Sequence, residues 1–102
     1  ATAAKTRRMD IVVGISYDAD IKAAKEVLMK VLREDEAVLK DMDMNVFVDQ
    51  LADSSVNLGV RCWFHNEDFW TGKWRVTENC KYALDQAGIQ IPFPQMDVHI
   101  QQ

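Results

Sequence analysis

Short runs that alternate apolar and polar residues are interleaved along this chain with two longer runs whose apolar residues recur every three or four positions. Met9, Ile11, Val13 and Ile15 alternate with Asp10, Val12, Gly14 and Ser16, which predicts a strand over residues 8–16 with one fully apolar face. Ile21, Ala24, Val27, Leu28, Val31 and Leu32 then fall on one side of a helix, opposite Lys22, Lys25, Glu26, Lys30 and Arg33, and Asp18 or Asp20 is placed to cap it. Residues 34–43 connect this helix to the next strand, and Ala37-Val38-Leu39 within them can dock on the core. Two further strands, 45–51 and 55–65, are joined by the turn-forming Ala52-Asp53-Ser54-Ser55. In the second of them Val56, Leu58, Val60, Cys62 and Phe64 share one face, and Asn57, Gly59, Arg61 and Trp63 the other.

Asn66 reads as the N-cap of a second helix, with Glu67 and Asp68 suited to the positive end of its dipole. Its apolar side is read as Trp70, Trp74, Thr77, Cys80, Leu84 and Ala87, and Gly88 is positioned to end it. Gly72 lies inside it at a cost of about 1 kcal/mol relative to alanine. Ile89-Gln90-Ile91 predicts a short fourth strand. Pro92 and Pro94 then interrupt the ladder, because proline has no N–H to donate. Beyond them Met96, Val98 and Ile100 face one way and Asp97, His99 and Gln101 the other, so a last short strand leaves the main sheet and requires partners, such as a ring of copies of itself.

The order of elements gives a ferredoxin-like βαββαβ fold, an α+β two-layer sandwich with both helices on one face of the sheet, plus an extra C-terminal strand. The other face is left open, with Trp63, Phe47 and Val12 on it facing either another domain or subunit, or simply solvent.

With 102 residues, 48% of them apolar, the chain fits one domain with a modest core. A net charge of −4 argues against a phosphate-backbone binder, so nucleic acid is not an expected partner. No run approaches the roughly 20 apolar residues of a membrane span, and residues 1–8 lack the apolar core of a secretory signal, so the chain as written reads as soluble. Cys62 and Cys80 lack ligand spacing and read as reduced, packed thiols. His65 and His99 have no carboxylate or cysteine partner at metal-ligand spacing. Asp18 and Asp20 imitate a catalytic pair, but capping explains them; the isolated glycines form no phosphate loop, and Ser54-Ser55 has no histidine base nearby. No catalytic residue, metal or cofactor is expected, and Trp70 with Trp74 is read as core packing rather than a ligand-stacking box.

Three separated motifs carry a resemblance over nearly the whole chain: residues 6–21 (Thr6-Arg7-Arg8-Met9-Asp10 onward), residues 51–58 (Leu51-Ala52-Asp53-Ser54-Ser55), and Ala87-Gly88-Ile89-Gln90-Ile91-Pro92-Phe93-Pro94-Gln95 followed by Met96-Asp97-Val98-His99. Together they resemble the C-terminal cytoplasmic domain of the small-conductance mechanosensitive channel (MscS) family. The resemblance implies a bacterial inner-membrane channel that opens under bilayer tension and releases ions and small osmolytes on hypo-osmotic shock. It further implies a homoheptamer whose C-terminal domains form a hollow cage with side portals on the cytoplasmic side, anchored through transmembrane helices and a middle β-domain that precede this region. In that frame residues 1–7 are a linker, 8–95 the ferredoxin-like domain and 96–102 the oligomerisation strand, with Pro92, Phe93, Pro94, Met96, Asp97, Val98, His99 and Ile100 at the subunit interface. Cys62, Cys80, Gly72 and His65 depart from the family pattern as recognised. Two other readings stand beside it: a ferredoxin-like module that binds a small regulatory molecule at a subunit interface, and an acylphosphatase-like hydrolase, for which the required phosphate loop is missing.

Overall fold

The alternating segments become one antiparallel sheet. In the computed structural model, which describes residues 5–92, the strands β1 (Thr6–Ile15), β2 (Asn45–Leu51) and β3 (Val56–His65) lie in the order β1-β3-β2. The β1–β3 register runs unbroken from Thr6 opposite His65 to Ile15 opposite Val56. The β2–β3 pairing shifts between Val48 and Gln50, leaving Asp49 as the extra residue of a bulge. Above the start of β2, Leu39 N–H donates to the Trp63 carbonyl at 3.0 Å, so the connecting segment prolongs the paired edge of β3.

Helix α1 (Ile21–Glu34) is capped by Asp20, whose carboxylate accepts from Ala23 N–H at 3.2 Å. It buries Ala24, Leu28 and Leu32, the centre of the stripe expected from the sequence. A 3-10 turn (Asn66–Asp68) leads into α2 (Phe69–Gln86), and neither start carries a side-chain cap bond. Both helices pack on the sheet face made by Met9, Ile15, Val56, Leu58, Val60, Cys62 and Phe64, forming one core that Val38 also enters. Each fully buried aliphatic or aromatic side chain there contributes about 1.5–3 kcal/mol.

Three expectations are corrected. Asn66, expected as the N-cap of the second helix, lies inside the 3-10 turn, and Asp68 takes the N-cap position of α2. The buried face of α2 is Phe69, Gly72, Val76, Cys80 and Leu84, whereas Trp70, Trp74, Thr77 and Ala87 are exposed. Gly72 decides the phase: a Cβ built on it would lie 2.4, 2.6 and 2.8 Å from three ring atoms of Phe64, so this turn of α2 rests directly on the β3 phenyl ring. The glycine that looked like a defect in a helix is the point of closest helix–sheet approach. Ile89–Ile91, expected as a fourth strand, has no strand pairing beyond a single backbone bond, Ser16 N–H to the Gln90 carbonyl at 2.9 Å. Gly88, at φ +74°, turns the chain out of α2, and Pro92 follows too soon for a ladder to develop.

Candidate functional site

The path of the chain gives this domain two distinct ends. At one, Thr6 pairs with His65 and Asn66 N–H donates to the Lys5 carbonyl at 2.9 Å, so the polypeptide comes in beside the start of α2. At the other, Ile15, Val56 and Leu51 lie in register, Tyr17 Oη donates to the Ala52 carbonyl, and Ser16 holds Gln90. A ten-residue strand separates them, roughly 30 Å at ~3.3 Å per residue. Because no fourth strand returns along β1, the described chain leaves at the end opposite to the one where it came in. Ile91 packs against the core and Pro92 is half-buried. Of the interface residues expected from the sequence only Pro92 is described; Phe93, Pro94, Met96, Asp97, Val98, His99 and Ile100 lie outside the described residues.

The incoming end carries a shelf of aromatic and cationic side chains, among them Trp70 and Trp74, which sequence reasoning assigned to the core. Trp70 and Trp74 are 51% and 65% exposed. Phe69 meets Trp70 edge-on at 5.2 Å between centroids, and Trp70 and Trp74 lie 6.1 Å apart. The Arg7 guanidinium stands 3.9 Å over the Phe69 ring and 5.7 Å from that of Trp70, and Lys73 Nζ is 5.4 Å from Trp70. Tyr17, Val48 and Leu51 are the exposed apolar residues of the far end.

On the open face of the sheet the expected trio is present: Val12 is exposed, Trp63 is half-buried, and Phe47 lies over Gly59 with the Arg61 guanidinium 5.2 Å from its ring. Asp10 sits between Arg61, at 2.6 Å, and Arg8, at 2.8 Å. Desolvation acts to raise its pKa, but the hydrogen bonds from Arg61 and Arg8 outweigh it and hold the carboxyl below the usual range.

Asp35, at the C-cap of α1, was missed from the sequence. Its side chain is 3% exposed and accepts both Arg75 Nε at 2.7 Å and Arg75 Nη2 at 2.9 Å, together with Ala37 N–H at 2.9 Å. Burial pushes its pKa up, and the Arg75 fork and the backbone donors more than reverse that. Through these bonds the buried carboxylate ties the end of α1, the connecting segment and α2 together, and Lys40 reinforces the connection by donating to the backbone carbonyls of Asp35 and Val38. The pair floors a groove of about 680 Å³ between the helices, walled by Glu34, Glu36 and Tyr82. Three of its polar groups are already committed, since Asp35 and Arg75 hold each other and Tyr82 donates to Glu78.

Among the described residues no group of three His, Cys, Asp or Glu side chains is placed to hold a metal. Burial drives both thiols up to about 12, Cys62 with added repulsion from Asp35, so neither is a nucleophile near neutrality. Among the described residues no helix is long and apolar enough to cross a membrane.

Residues 9–91 match the family model described as "Mechanosensitive ion channel MscS, C-terminal". The chain is 47% identical over 96 residues to the small-conductance mechanosensitive channel of Edwardsiella ictaluri, covering 94% of this chain and 34% of that protein. It superimposes on the crystal structure of Helicobacter pylori MscS in its closed state with a TM-score of 0.86 at 29% identity, over 97% of this chain and 40% of the other. Arabidopsis thaliana MSL1 shares the fold, with a TM-score of 0.75 at 16% identity over 88% of this chain and 35% of that one. The chain thus spans about a third of the length of the curated relatives it matches.

Proposed function

Because the chain belongs to the MscS family of mechanosensitive ion channels and corresponds to their C-terminal domain, we propose that it forms part of the cytoplasmic cage of a bacterial inner-membrane channel that releases ions and small osmolytes on hypo-osmotic shock. In this reading seven copies assemble around one axis. Residues 1–7 link the domain to the channel body, residues 8–95 form a ferredoxin-like unit, and residues 96–102 supply one strand per subunit to a small parallel barrel that closes the cage. Pro92, Phe93 and Pro94 set that strand apart from the sheet, and Met96, Asp97, Val98, His99 and Ile100 pair with neighbouring copies. A strand this short is unstable alone, so its contribution depends on the ring.

The observation that carries the reading is the direction of the chain. It comes in at the Thr6 end of β1 and reaches Pro92 near the Ile15 end, as a spacer between a membrane-anchored body and a distal closure would. The strand order β1-β3-β2 is that of a ferredoxin-like sheet lacking its last strand, which supports the finer fold assignment.

The test is a full-length channel from which residues 96–100 are deleted, reconstituted and studied by patch clamp beside native mass spectrometry. The expected result is a weakened heptamer and altered gating. A deletion that keeps assembly and tension response intact would remove the assigned role of that strand.

A further inference from the structure

We propose that the groove between α1 and α2 is a binding site for a small zwitterion, a molecule with a carboxylate and a primary ammonium on a short aliphatic spacer. Arg75 carries the argument. Asp35 takes Nε and Nη2 of its guanidinium, one edge of the planar fork, at 2.7 and 2.9 Å. A guanidinium has five N–H donors, so the other edge, Nη1 with the second N–H of Nη2, is left without a hydrogen-bond partner among the described residues, on a side chain that is 41% exposed and lines the groove. Asp35 is itself 3% exposed and held by Ala37 N–H, so the fork cannot swing freely and its second edge is presented in a fixed direction. Two parallel donors on one plane are the complement of a carboxylate.

The opposite charge lines the other wall. Glu34 ends α1 and Glu36 follows its C-cap, so both carboxylates stand at the negative end of the helix dipole, where an ammonium is favoured. Glu36 enters no ion pair among the described residues, and Glu34 has only an exposed Lys30 at 3.8 Å. The charge of Glu36 reaches the guanidinium, adding with that of Asp68 to the rise in its pKa that the Asp35 bond chiefly causes, so one small molecule can span the two walls. Between them Ala37 and Ala83 are too small to fill the space of about 680 Å³, a volume typical of small-molecule sites. A simple anion would meet the carboxylates and a simple cation the guanidinium; a zwitterion satisfies both.

The site lies within this one domain and does not depend on the channel reading. The experiment titrates the 102-residue chain with γ-aminobutyrate at low ionic strength, followed by amide and guanidinium NMR, beside butyrate and butylammonium, which each carry one of its two charges. The expected result is saturable shifts at residues 34–37, at 75–86 and at the Arg75 side chain, with each single-charge probe binding about tenfold more weakly or worse. Absence of saturable shifts, shifts elsewhere, or equal affinity for either single-charge probe would overturn the proposal. Glu36→Gln changes an exposed residue and should leave the unfolding midpoint in place, weaken γ-aminobutyrate about tenfold and strengthen butyrate, a split that a merely structural role would not produce. Arg75→Lys keeps a cation beside Asp35 but gives up the second edge, and should reduce γ-aminobutyrate to the level of butylammonium. Unchanged γ-aminobutyrate affinity in either variant would also overturn it.

Discussion

Replacing Gly72 with alanine puts two known effects in opposition. An alanine inside α2 gains about 1 kcal/mol over glycine from backbone propensity alone. The added Cβ, however, would stand 2.4 Å from one Phe64 ring carbon and within 2.8 Å of two more, about 1 Å inside ordinary contact. Phe64 is fully buried, so its ring has no open space to swing into, and α2 must lift or the ring must tilt. Overpacking of this kind costs about 1–3 kcal/mol, and a rigid ring argues for the upper part of that range. The net expectation for Gly72→Ala is a loss of about 1–2 kcal/mol, or a fall of roughly 4–15 °C in Tm for a domain of this size. Urea and thermal unfolding of the 102-residue chain, followed by circular dichroism, measure it directly. Phe64→Leu supplies the control: it destabilises by itself, but with the phenyl edge gone the same alanine should become neutral or stabilising, a coupling of about 1–3 kcal/mol in the double-mutant cycle. If Gly72→Ala raised the stability of the otherwise native chain, or if the two substitutions were additive, the close approach of α2 to β3 would not be what selects glycine here.

Arg75→Ala should cost about 2–3 kcal/mol, less than the ~3–5 of a fully buried pair because Arg75 is 41% exposed, but substantial because Asp35 remains at 3%. Since Arg75 holds the folded-state pKa of Asp35 below its usual value, the stabilisation is complete above the unfolded carboxylate pKa of about 3.9 and is lost as pH falls through the lower folded value. Urea titrations at neutral pH and below pH ~3 should therefore show the gap between the variant and the native chain closing in acid. Gly88 has φ +74° with open space around it, so Gly88→Ala should destabilise by about 1 kcal/mol through backbone strain alone and Gly88→Asn by less, as thermal unfolding would reveal. Cys62 and Cys80, buried and with pKa raised to about 12, should react with a thiol-specific dye only as urea unfolds the chain, and rapid labelling of the native protein would contradict their placement.

Periodicity alone determined most of the architecture. A two-residue repeat with one apolar side can be satisfied only by a strand with that side buried, and a stripe like that of α1 only by a helix lying on it, so β1, α1, β2 and β3 emerge close to where the sequence puts them. The Asp20 cap and the exposed side of the sheet were legible for the same reason: each depends on neighbours one to four residues away. The tertiary structure decided the rest. The phase of α2 was ambiguous in sequence, since Cys80 and Leu84 belong to either face and two large aromatic side chains offer more area to bury than a glycine; contact with Phe64 resolves it in the glycine's favour. The pairing of Asp35 with Arg75 joins residues forty positions apart, and no local pattern encodes it. Whether Ile89–Ile91 would form a strand depended on how Gly88 aimed the chain and on how few residues remained before Pro92. Local repeats fix which side of an element turns inward; which surface it meets there, and what is left outside for another polypeptide, is set by how the assembled elements fit against one another.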